Sequence, residues 1–138
     1  MNEIGTIFII EDSEIDTWIA KKVLGFAGLG KDYICCGDGE EALQKLSDFA
    51  YVHRSLPELI LVDIGLPVCD GIDLIRKIRQ LPTFSKKHNL IVLMTEGLDS
   101  KFDLPRLQTY NIRYVVFKPL NKEKLLEVIS EFKKDCGS

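Results

Sequence analysis

The sequence predicts an α/β fold: a doubly wound sheet of five parallel strands with helices on both faces. The first observation behind this prediction is that apolar strand patterns alternate with helix patterns along the chain, as repeated strand–helix units require. The second is that the strand segments are near-continuous apolar runs, which is typical of strands buried on both sides. These runs span about residues 6–10, 33–36, 59–62, 90–94 and 114–117.

Capping residues set the bounds of the first helix. Ser13, followed three residues later by Asp16, resembles a capping box and predicts a helix that begins just after it. Gly28 and Gly30 are expected to stop this helix, since glycine readily adopts the left-handed conformation that ends helices. Between these limits the apolar residues recur at helical spacing, and they are Ile15, Ile19, Val23 and Phe26.

The next two helices are predicted in the same way. Asp38 and Glu41 mark the start of the second helix, and the third begins near Asp70 and Gly71. Pro82 is expected to end the third helix, because proline has no backbone N–H to donate. The residues expected to face inward from these two helices are Ala42, Leu43, Leu46, Phe49, Ile72, Ile75, Ile78 and Leu81.

A proline restricts the fourth helix. Pro105 is tolerated only in a first turn, so we expect a long loop over about residues 96–104 and then a short helix to about Tyr110. Asn111 is a candidate left-handed cap. Asn121 caps the last helix, whose residues expected to face the sheet are Leu125, Leu126, Ile129 and Phe132.

Polar residues follow four of the strands at their carboxyl ends. Glu11 and Asp12 follow the first strand, Asp63 the third, Thr95 the fourth and Lys118 the fifth. Open α/β sheets bind ligands at the edge where the carboxyl ends of the strands meet, so these side chains are expected to converge. Three clustered carboxylates repel one another and favour a hard cation such as Mg²⁺.

Asp63 is the candidate nucleophile of this cluster. A carboxylate at the end of a buried strand is costly unless it is paired, and the next helix begins too late for Asp63 to cap it. Carboxylates of this kind accept phosphoryl groups in some enzymes. Glu11 and Asp12 taken alone are equally well explained by the positive N-terminus of the following helix. Beside Asp63 a divalent site explains them better, and the Gly65 carbonyl offers a further oxygen ligand.

Two further residues complete the candidate chemistry. Lys118 is expected to pair with Asp63 and to stabilise negative charge on a phosphoryl group. The Lys118–Pro119 bond is a candidate cis peptide. Thr95 has a hydroxyl that can donate to a phosphoryl oxygen.

On these residues the chain resembles a response-regulator receiver domain of the chemotaxis-regulator type. The matching segments are Glu11-Asp12, residues 63–71, Thr95 and Lys118-Pro119, which occur in order along nearly the whole chain. The resemblance implies a flavodoxin-like (βα)5 sheet with strand order 2-1-3-4-5.

The resemblance also implies a function in two-component signal transduction. Asp63 would accept phosphate from a sensor histidine kinase or histidine phosphotransfer protein, using Mg²⁺ held by Asp12, Asp63 and the Gly65 carbonyl, with Glu11 acting indirectly. Self-catalysed phosphotransfer and dephosphorylation would be its only chemistry. After a shift of Thr95 and Lys118, the face made by helix 4, strand 5 and helix 5 would change its binding to an unknown downstream protein, with a homodimer through that face as an open alternative.

Three residues depart from the family pattern. Glu96 stands where a small residue usually follows the switch threonine, and it either repels phosphodonors or only points to water. Val115 stands where the switch aromatic is usual, and Tyr114 beside it is expected to face the other way. Pro105 makes the fourth helix unusual. These departures leave open a degenerate receiver that acts as a phosphorylation-independent interaction module.

Composition sets the remaining expectations. The chain has 138 residues and a formal net charge of −3, so we expect one domain over residues 1–138 with a core of about residues 4–134. Without clustered Lys and Arg, no nucleic-acid partner is expected. The sequence shows neither a membrane-length apolar run nor a signal-peptide pattern, which predicts a cytoplasmic protein. The four cysteines show no paired spacing and are expected to be free thiols.

Overall fold

The fold is a five-stranded parallel sheet covered by five helices, seen in a computed structural model that describes residues 4–97 and 104–137. The elements in chain order are β1 (Thr6–Ile10), α1 (Glu14–Phe26), β2 (Asp32–Cys36), α2 (Gly39–His53), β3 (Leu59–Asp63), α3 (Gly71–Arg79), β4 (Leu90–Thr95), α4 (Leu104–Thr109), β5 (Val115–Phe117) and α5 (Lys122–Asp135). The strand order is β2-β1-β3-β4-β5, and every pair is parallel. The predicted fold class and strand order are confirmed, while most of the predicted loop over residues 96–104 lies outside the described residues.

Two apolar layers sandwich the sheet, because successive strand residues point to opposite faces. On one face, Phe8, Ile60 and Val62 pack against α2, α3 and α4. On the other face, Ile9 and Leu61 pack against α1 and α5. All of these strand residues are fully buried. The sheet is therefore buried on both sides, as its apolar strands predicted.

The apolar pattern of α1 only partly matches the face that packs against the sheet, where Val23 of that pattern lies. Ile15 and Phe26 are 71% and 77% exposed, whereas Ala20 and Leu24 are buried against the sheet. The buried stripe is rotated about one residue from the predicted one and includes a small alanine, which contributes little to a hydrophobic pattern. In α5 the same error affects Leu126, which is 39% exposed.

The three predicted N-caps, Ser13, Asp38 and Asn121, are confirmed, and Asp70 caps the third helix in the same way. Each cap side chain accepts the backbone N–H three residues later. The predicted capping-box partner of Ser13 was wrong. Glu11 rather than Asp16 accepts the Ser13 N–H, at 3.1 Å, because the Asp16 carboxylate binds another residue.

Two predictions about backbone conformation near α4 and β5 are also confirmed. Asn111 is left-handed, with φ 53°, and the Lys118–Pro119 peptide bond is cis. Pro105 lies in the first turn of α4, as its missing N–H requires. Leu107 is the buried residue that packs this short helix against the sheet.

A tight connection joins β3 to α3. The Gly71 N–H donates to the Ile64 carbonyl at 3.0 Å, which draws the start of α3 against the end of β3. A Cβ at position 71 would overlap the Asp63 carbonyl oxygen. Val68, in the same connection, is fully exposed and has φ 68°, an unusual conformation for a β-branched residue. Glycine at position 71 thus permits the close approach that fixes where Asp63 ends its strand.

Charged side chains tie α4 to the start of α3. Arg106 donates two hydrogen bonds to the Asp70 carboxylate, at 2.8 and 3.2 Å, and one to Asp73 at 2.9 Å. Burial opposes ionisation of Asp70, but hydrogen bonds from Arg106 and from the Asp73 N–H outweigh it and hold the pKa of Asp70 below its usual range. Asp70 therefore both caps α3 and anchors α4.

Replacing Asp70 by asparagine is expected to destabilise the fold by about 1–2 kcal/mol at pH 7. Asparagine caps helices as well as aspartate does, so the change isolates the lost charge. Since the folded pKa of Asp70 lies below the unfolded value of 3.8, its contribution is complete above that value and declines as the pH falls through the folded pKa. Urea unfolding across this range measures the effect, and a difference that did not shrink in acid would contradict it.

Candidate functional site

The end of β1 places two acidic side chains at the carboxyl edge of the sheet. Hydrogen bonding to β2 continues one residue past β1, because the Glu11 N–H donates to the Cys36 carbonyl at 2.9 Å. Glu11 is buried, whereas the next residue, Asp12, is exposed. Adjacent acids therefore occupy very different environments.

Lys118 brings the strand ends together. Its N–H donates to the Thr95 carbonyl at 2.7 Å, which fixes it directly after β5. Its Nζ lies 2.9 Å from Asp63 Oδ1 and 2.8 Å from Glu11 Oε2. A third carboxylate, from Asp16 on α1, lies 2.9 Å away. The ammonium thus joins the ends of β1, β3 and β5 to the first turn of α1.

Burial and the ammonium together set the protonation of this cluster. Burial raises the pKa of Glu11 to about 7, with the charge of Asp63 adding to it and hydrogen bonds from Lys118 and Ser13 opposing it. Burial also disfavours the charged ammonium, but hydrogen bonds to Glu11, Asp63 and Asp16 outweigh it and raise the pKa of Lys118 above its usual range. Lys118 is therefore protonated at neutral pH, while Glu11 titrates near neutrality.

Three carboxylates converge beside the ammonium, with one oxygen each of Glu11, Asp12 and Asp63 within 4.8 Å of one another. Mg²⁺ holds oxygen ligands about 2.1 Å away in an octahedron, so that opposite ligands lie about 4.2 Å apart. The cluster therefore fits this ion after small side-chain movements. Both Glu11 oxygens already accept hydrogen bonds, from the Ser13 N–H at 3.1 Å and from Lys118 at 2.8 Å. A metal ion would therefore have to displace a hydrogen bond to reach either Glu11 oxygen.

The cluster opens into a surface hollow of about 300 Å³, lined in part by Gly65 and Glu96. A Cβ at position 65 would lie 3.3 Å from Asp63 Oδ2, so glycine leaves that oxygen accessible. Glu96 is exposed at the wall of the hollow. The charge of Glu96 therefore borders the hollow, while its side chain is exposed to water.

Thr95 lies at the same sheet edge but is fully buried. Its Oγ1 accepts the Gly97 N–H at 3.1 Å, which holds the hydroxyl at the start of the connection to α4. Accepting this bond does not use the hydroxyl proton, which a threonine can still donate. The structure thus gathers all the predicted side chains at one edge, with Thr95 engaged by the backbone.

Asp16 is the residue that sequence reasoning missed. It was assigned to helix capping, whereas its carboxylate binds Lys118 at 2.9 Å. The spacing of Asp16 could have revealed this role, because Asp16, Ala20 and Leu24 lie on one stripe along α1. Ala20 and Leu24 of that stripe are buried against the sheet. That stripe carries Asp16 to the carboxyl edge of the sheet.

Comparison with protein families agrees with the geometry. A family model described as the response regulator receiver domain matches residues 7–130. The chain belongs to the response regulator receiver domain family. The matched range contains the acidic cluster, Thr95 and Lys118.

This receiver domain resembles curated response regulators over most of its length. It is 29% identical over 127 residues to the two-component response regulator ORR41 of Oryza sativa subsp. japonica, covering 92% of this chain and 93% of that protein. It is 29% identical over 123 residues to the protein PilG of Pseudomonas aeruginosa, covering 89% and 83% of the two chains.

Solved structures show the same fold. A two-component response regulator from Cytophaga hutchinsonii superposes with a TM-score of 0.79 at 22% identity, covering 96% of this receiver domain and 98% of that chain. The chemotaxis response regulator CheY4 of Vibrio cholerae superposes with a TM-score of 0.70 at 20% identity, covering 94% and 98%.

Val115, which stands where the family usually has an aromatic residue, and its neighbour Tyr114 lie on opposite faces of the sheet. Val115 packs with the apolar layer beneath α4, while Tyr114 packs with the opposite layer, where its ring meets Phe132 edge-on at 5.6 Å. The prediction that Tyr114 faces away from its neighbour is confirmed.

Within the described part of the chain, no helix is both long enough and apolar enough to cross a membrane.

Proposed function

We propose that this receiver domain accepts a phosphoryl group on Asp63 in the cytoplasm, from a sensor histidine kinase or a histidine phosphotransfer protein. The observation that carries the proposal is that Asp63 lies between an ammonium and two further carboxylates. Its Oδ1 is 2.9 Å from Lys118 Nζ, and its carboxylate closes the acidic cluster with Glu11 and Asp12. This arrangement supports Asp63 as a nucleophile with the Lys118 ammonium on one side and a bound Mg²⁺ ion on the other.

Each residue has a chemical role in the proposed transfer. A carboxylate oxygen of Asp63 attacks phosphorus as the bond from phosphorus to the donor's imidazole nitrogen breaks, and the imidazole leaves with that electron pair. Lys118 stabilises the charge that develops on the phosphoryl oxygens, and the Thr95 hydroxyl donates to one of them. Hydrolysis of the acyl phosphate later restores the carboxylate.

The donor set of the site fits Mg²⁺. Asp12, Asp63 and the Gly65 carbonyl would hold the ion, and Glu11 would act indirectly because its oxygens are already hydrogen-bonded. The ion when bound supplies positive charge to the phosphoryl oxygens.

Labelling with a small phosphodonor tests the proposal. With acetyl phosphate or phosphoramidate and Mg²⁺, intact-mass measurement should show one added phosphoryl group, and peptide mapping should place it on Asp63. Labelling should disappear with EDTA and in Asp63→Asn. Amide NMR spectra of that variant control for its fold. Stable labelling of the asparagine variant would refute the assignment of Asp63.

Glu96 is expected to slow the reaction with anionic donors. It adds negative charge to the wall of the 300 Å³ hollow, so Glu96→Ala should speed labelling by acetyl phosphate by about two- to fivefold at low salt. The gain should shrink in about 0.5 M salt, where the Debye length falls well below 10 Å. Initial rates measure the effect, and Glu14→Ala, an exposed acid on α1, is a control. Equal rates for Glu96→Ala and the parent protein would mean that this charge does not affect the donor.

The proposed output is altered binding of a downstream protein by the face of α4, β5 and α5. Phe117, half exposed on β5, offers that face an apolar contact. Glu96 at the site wall keeps a second function open, a degenerate receiver that binds its partner without phosphate. Co-purification of partners with the parent protein and with Asp63→Asn, each with and without phosphodonor, distinguishes these functions. Partners that depend on the donor support a switch, and identical partners in all samples support the degenerate module.

A further inference from the structure

Among the described residues, a hollow of about 610 Å³ lies at the edge of the sheet opposite Asp63, and the proposed function does not use it. It lies where β4 and β5 begin, as its lining residues Ile91 and Tyr114 show. Three segments enclose it: the α3–β4 loop, the α4–β5 connection and the end of α5. Its volume lies within the range of about 300–1,000 Å³ that is typical of small-molecule sites.

The walls of this basal hollow carry an excess of positive charge. Four cationic side chains line it, against the single carboxylate of Asp135, and they are Arg79, Lys86, Lys87 and Arg113. That carboxylate is already engaged, since it accepts the Tyr114 hydroxyl at 2.6 Å and lies 3.3 Å from an Arg113 guanidinium nitrogen. The whole chain has a net charge of −3, so this concentration of cations runs against the overall composition.

Arg79 lacks an anionic partner among the described residues. Its guanidinium donates to the carbonyls of Tyr110 and Asn111, which are neutral acceptors. Burial lowers the pKa of the Arg79 guanidinium below its usual value, as expected for a half-buried cation without a counter-charge. An anion in the hollow would compensate this desolvated charge.

The floor of the hollow is apolar, and its wall is already ordered. Phe84, Ile91 and Phe132 line it, and the last two are buried within the core. The lysine-bearing loop is closed by Asn89, which accepts the Ser85 N–H at 2.7 Å and donates to the Leu56 and Pro57 carbonyls, just before β3, at 3.1 Å each. The two lysines are therefore presented beside an apolar surface by a loop that its own hydrogen bonds hold in place.

We propose that the basal hollow binds a small organic anion with a flat apolar body and one carboxylate or phosphate group. The apolar body would cover Phe84, Ile91 and Phe132, and the anionic group would face the lysines and Arg79. Neither class of group alone fits as well, because a bare anion leaves the apolar floor exposed to water, and a neutral ring leaves Arg79 without a counter-charge. This site is separate from the phosphoacceptor edge and does not depend on its function.

Amide NMR titration of the unphosphorylated, Mg²⁺-free protein with 2-naphthoate tests the proposal. The uncharged 2-naphthalenemethanol, with the same ring, is the matched probe. We expect naphthoate to shift the amides of Asn89, Ile91, Tyr114 and Cys136 with a Kd of about 1 mM or below, and the alcohol to bind about fivefold more weakly or worse. No shifts at about 5 mM naphthoate, shifts centred elsewhere, or equal binding of the two probes would overturn the proposal.

A charge-matched pair of variants tests the role of the lysines. Lys86→Gln/Lys87→Gln should weaken naphthoate binding about three- to tenfold, without a cost to folding because both side chains are exposed. Lys21→Gln/Lys22→Gln removes the same charge from α1 and should leave the Kd within about twofold. Equal weakening by both double variants would show that only net charge matters, and the site would be rejected.

Discussion

Substitution of alanine for Gly71 is expected to destabilise this receiver domain by about 3 kcal/mol. A Cβ there would overlap the Asp63 carbonyl oxygen and lie 2.8 Å from the Cα of Ile64. Because both are backbone atoms, no rotamer change relieves the contact, and either α3 or the end of β3 must move. Urea unfolding followed by the fluorescence of Trp18 measures the loss.

Gly25→Ala is the matched control for this substitution. Gly25 lies inside α1, and a Cβ there would meet no atom within 4 Å. Alanine should therefore stabilise that helix by about 0.5–1 kcal/mol. The two identical substitutions are thus expected to shift stability in opposite directions. If Gly71→Ala unfolded at the same urea concentration as the parent protein, the close approach would not constrain the end of β3.

The features that the sequence predicted well are those with local causes. The strands could be predicted because burial on both faces demands continuous apolar runs. In β3, for example, every residue before Asp63 is apolar. The helix starts were visible because a cap such as Asn121 bonds an amide only three residues away. The polar strand ends converge because parallel strands share one direction.

The features that the sequence did not predict depend on contacts between distant segments. Asp16 binds Lys118 across 102 positions, and no local pattern distinguishes this role from helix capping. The rotation of α1 was ambiguous because Ile15 and Phe26 form a more apolar stripe than Ala20 and Leu24 do. The stripe with less apolar surface is the one buried, and the same rotation brings Asp16 to the ammonium. The rotation of α1 therefore sets both its packing and the position of Asp16. The apolar periodicity of the helix predicts neither.

Replacing Lys118 by methionine is expected to cost about 3 kcal/mol of stability at pH 8. It is also expected to slow Mg²⁺-dependent labelling of Asp63 by about 100-fold, through loss of the charge that would face the phosphoryl oxygens. The ammonium is the shared partner of three carboxylates, and the Glu11 side chain is only 1% exposed. Without it, the pKa of Glu11 rises further above the unfolded value of 4.5. The parent keeps this proton only up to about pH 7, whereas the folded variant keeps it to higher pH, so the extra cost is small at pH 5 and grows from about pH 7 to pH 8.

A second substitution separates charge from packing in this result. Adding Glu11→Gln to Lys118→Met should restore about half of the lost stability at pH 8 and little at pH 5, because the neutral glutamine stays buried without the proton that Glu11 must take up at pH 8. Its amide oxygen still accepts the Ser13 N–H, which lies 3.1 Å from the carboxylate in the parent protein. Lys21→Met, an exposed change of the same type, should stay within about 0.5 kcal/mol of the parent. A double variant no more stable than Lys118→Met at pH 8 would assign the loss to packing of the lysine stem, because avoiding this proton uptake is the only gain that glutamine offers.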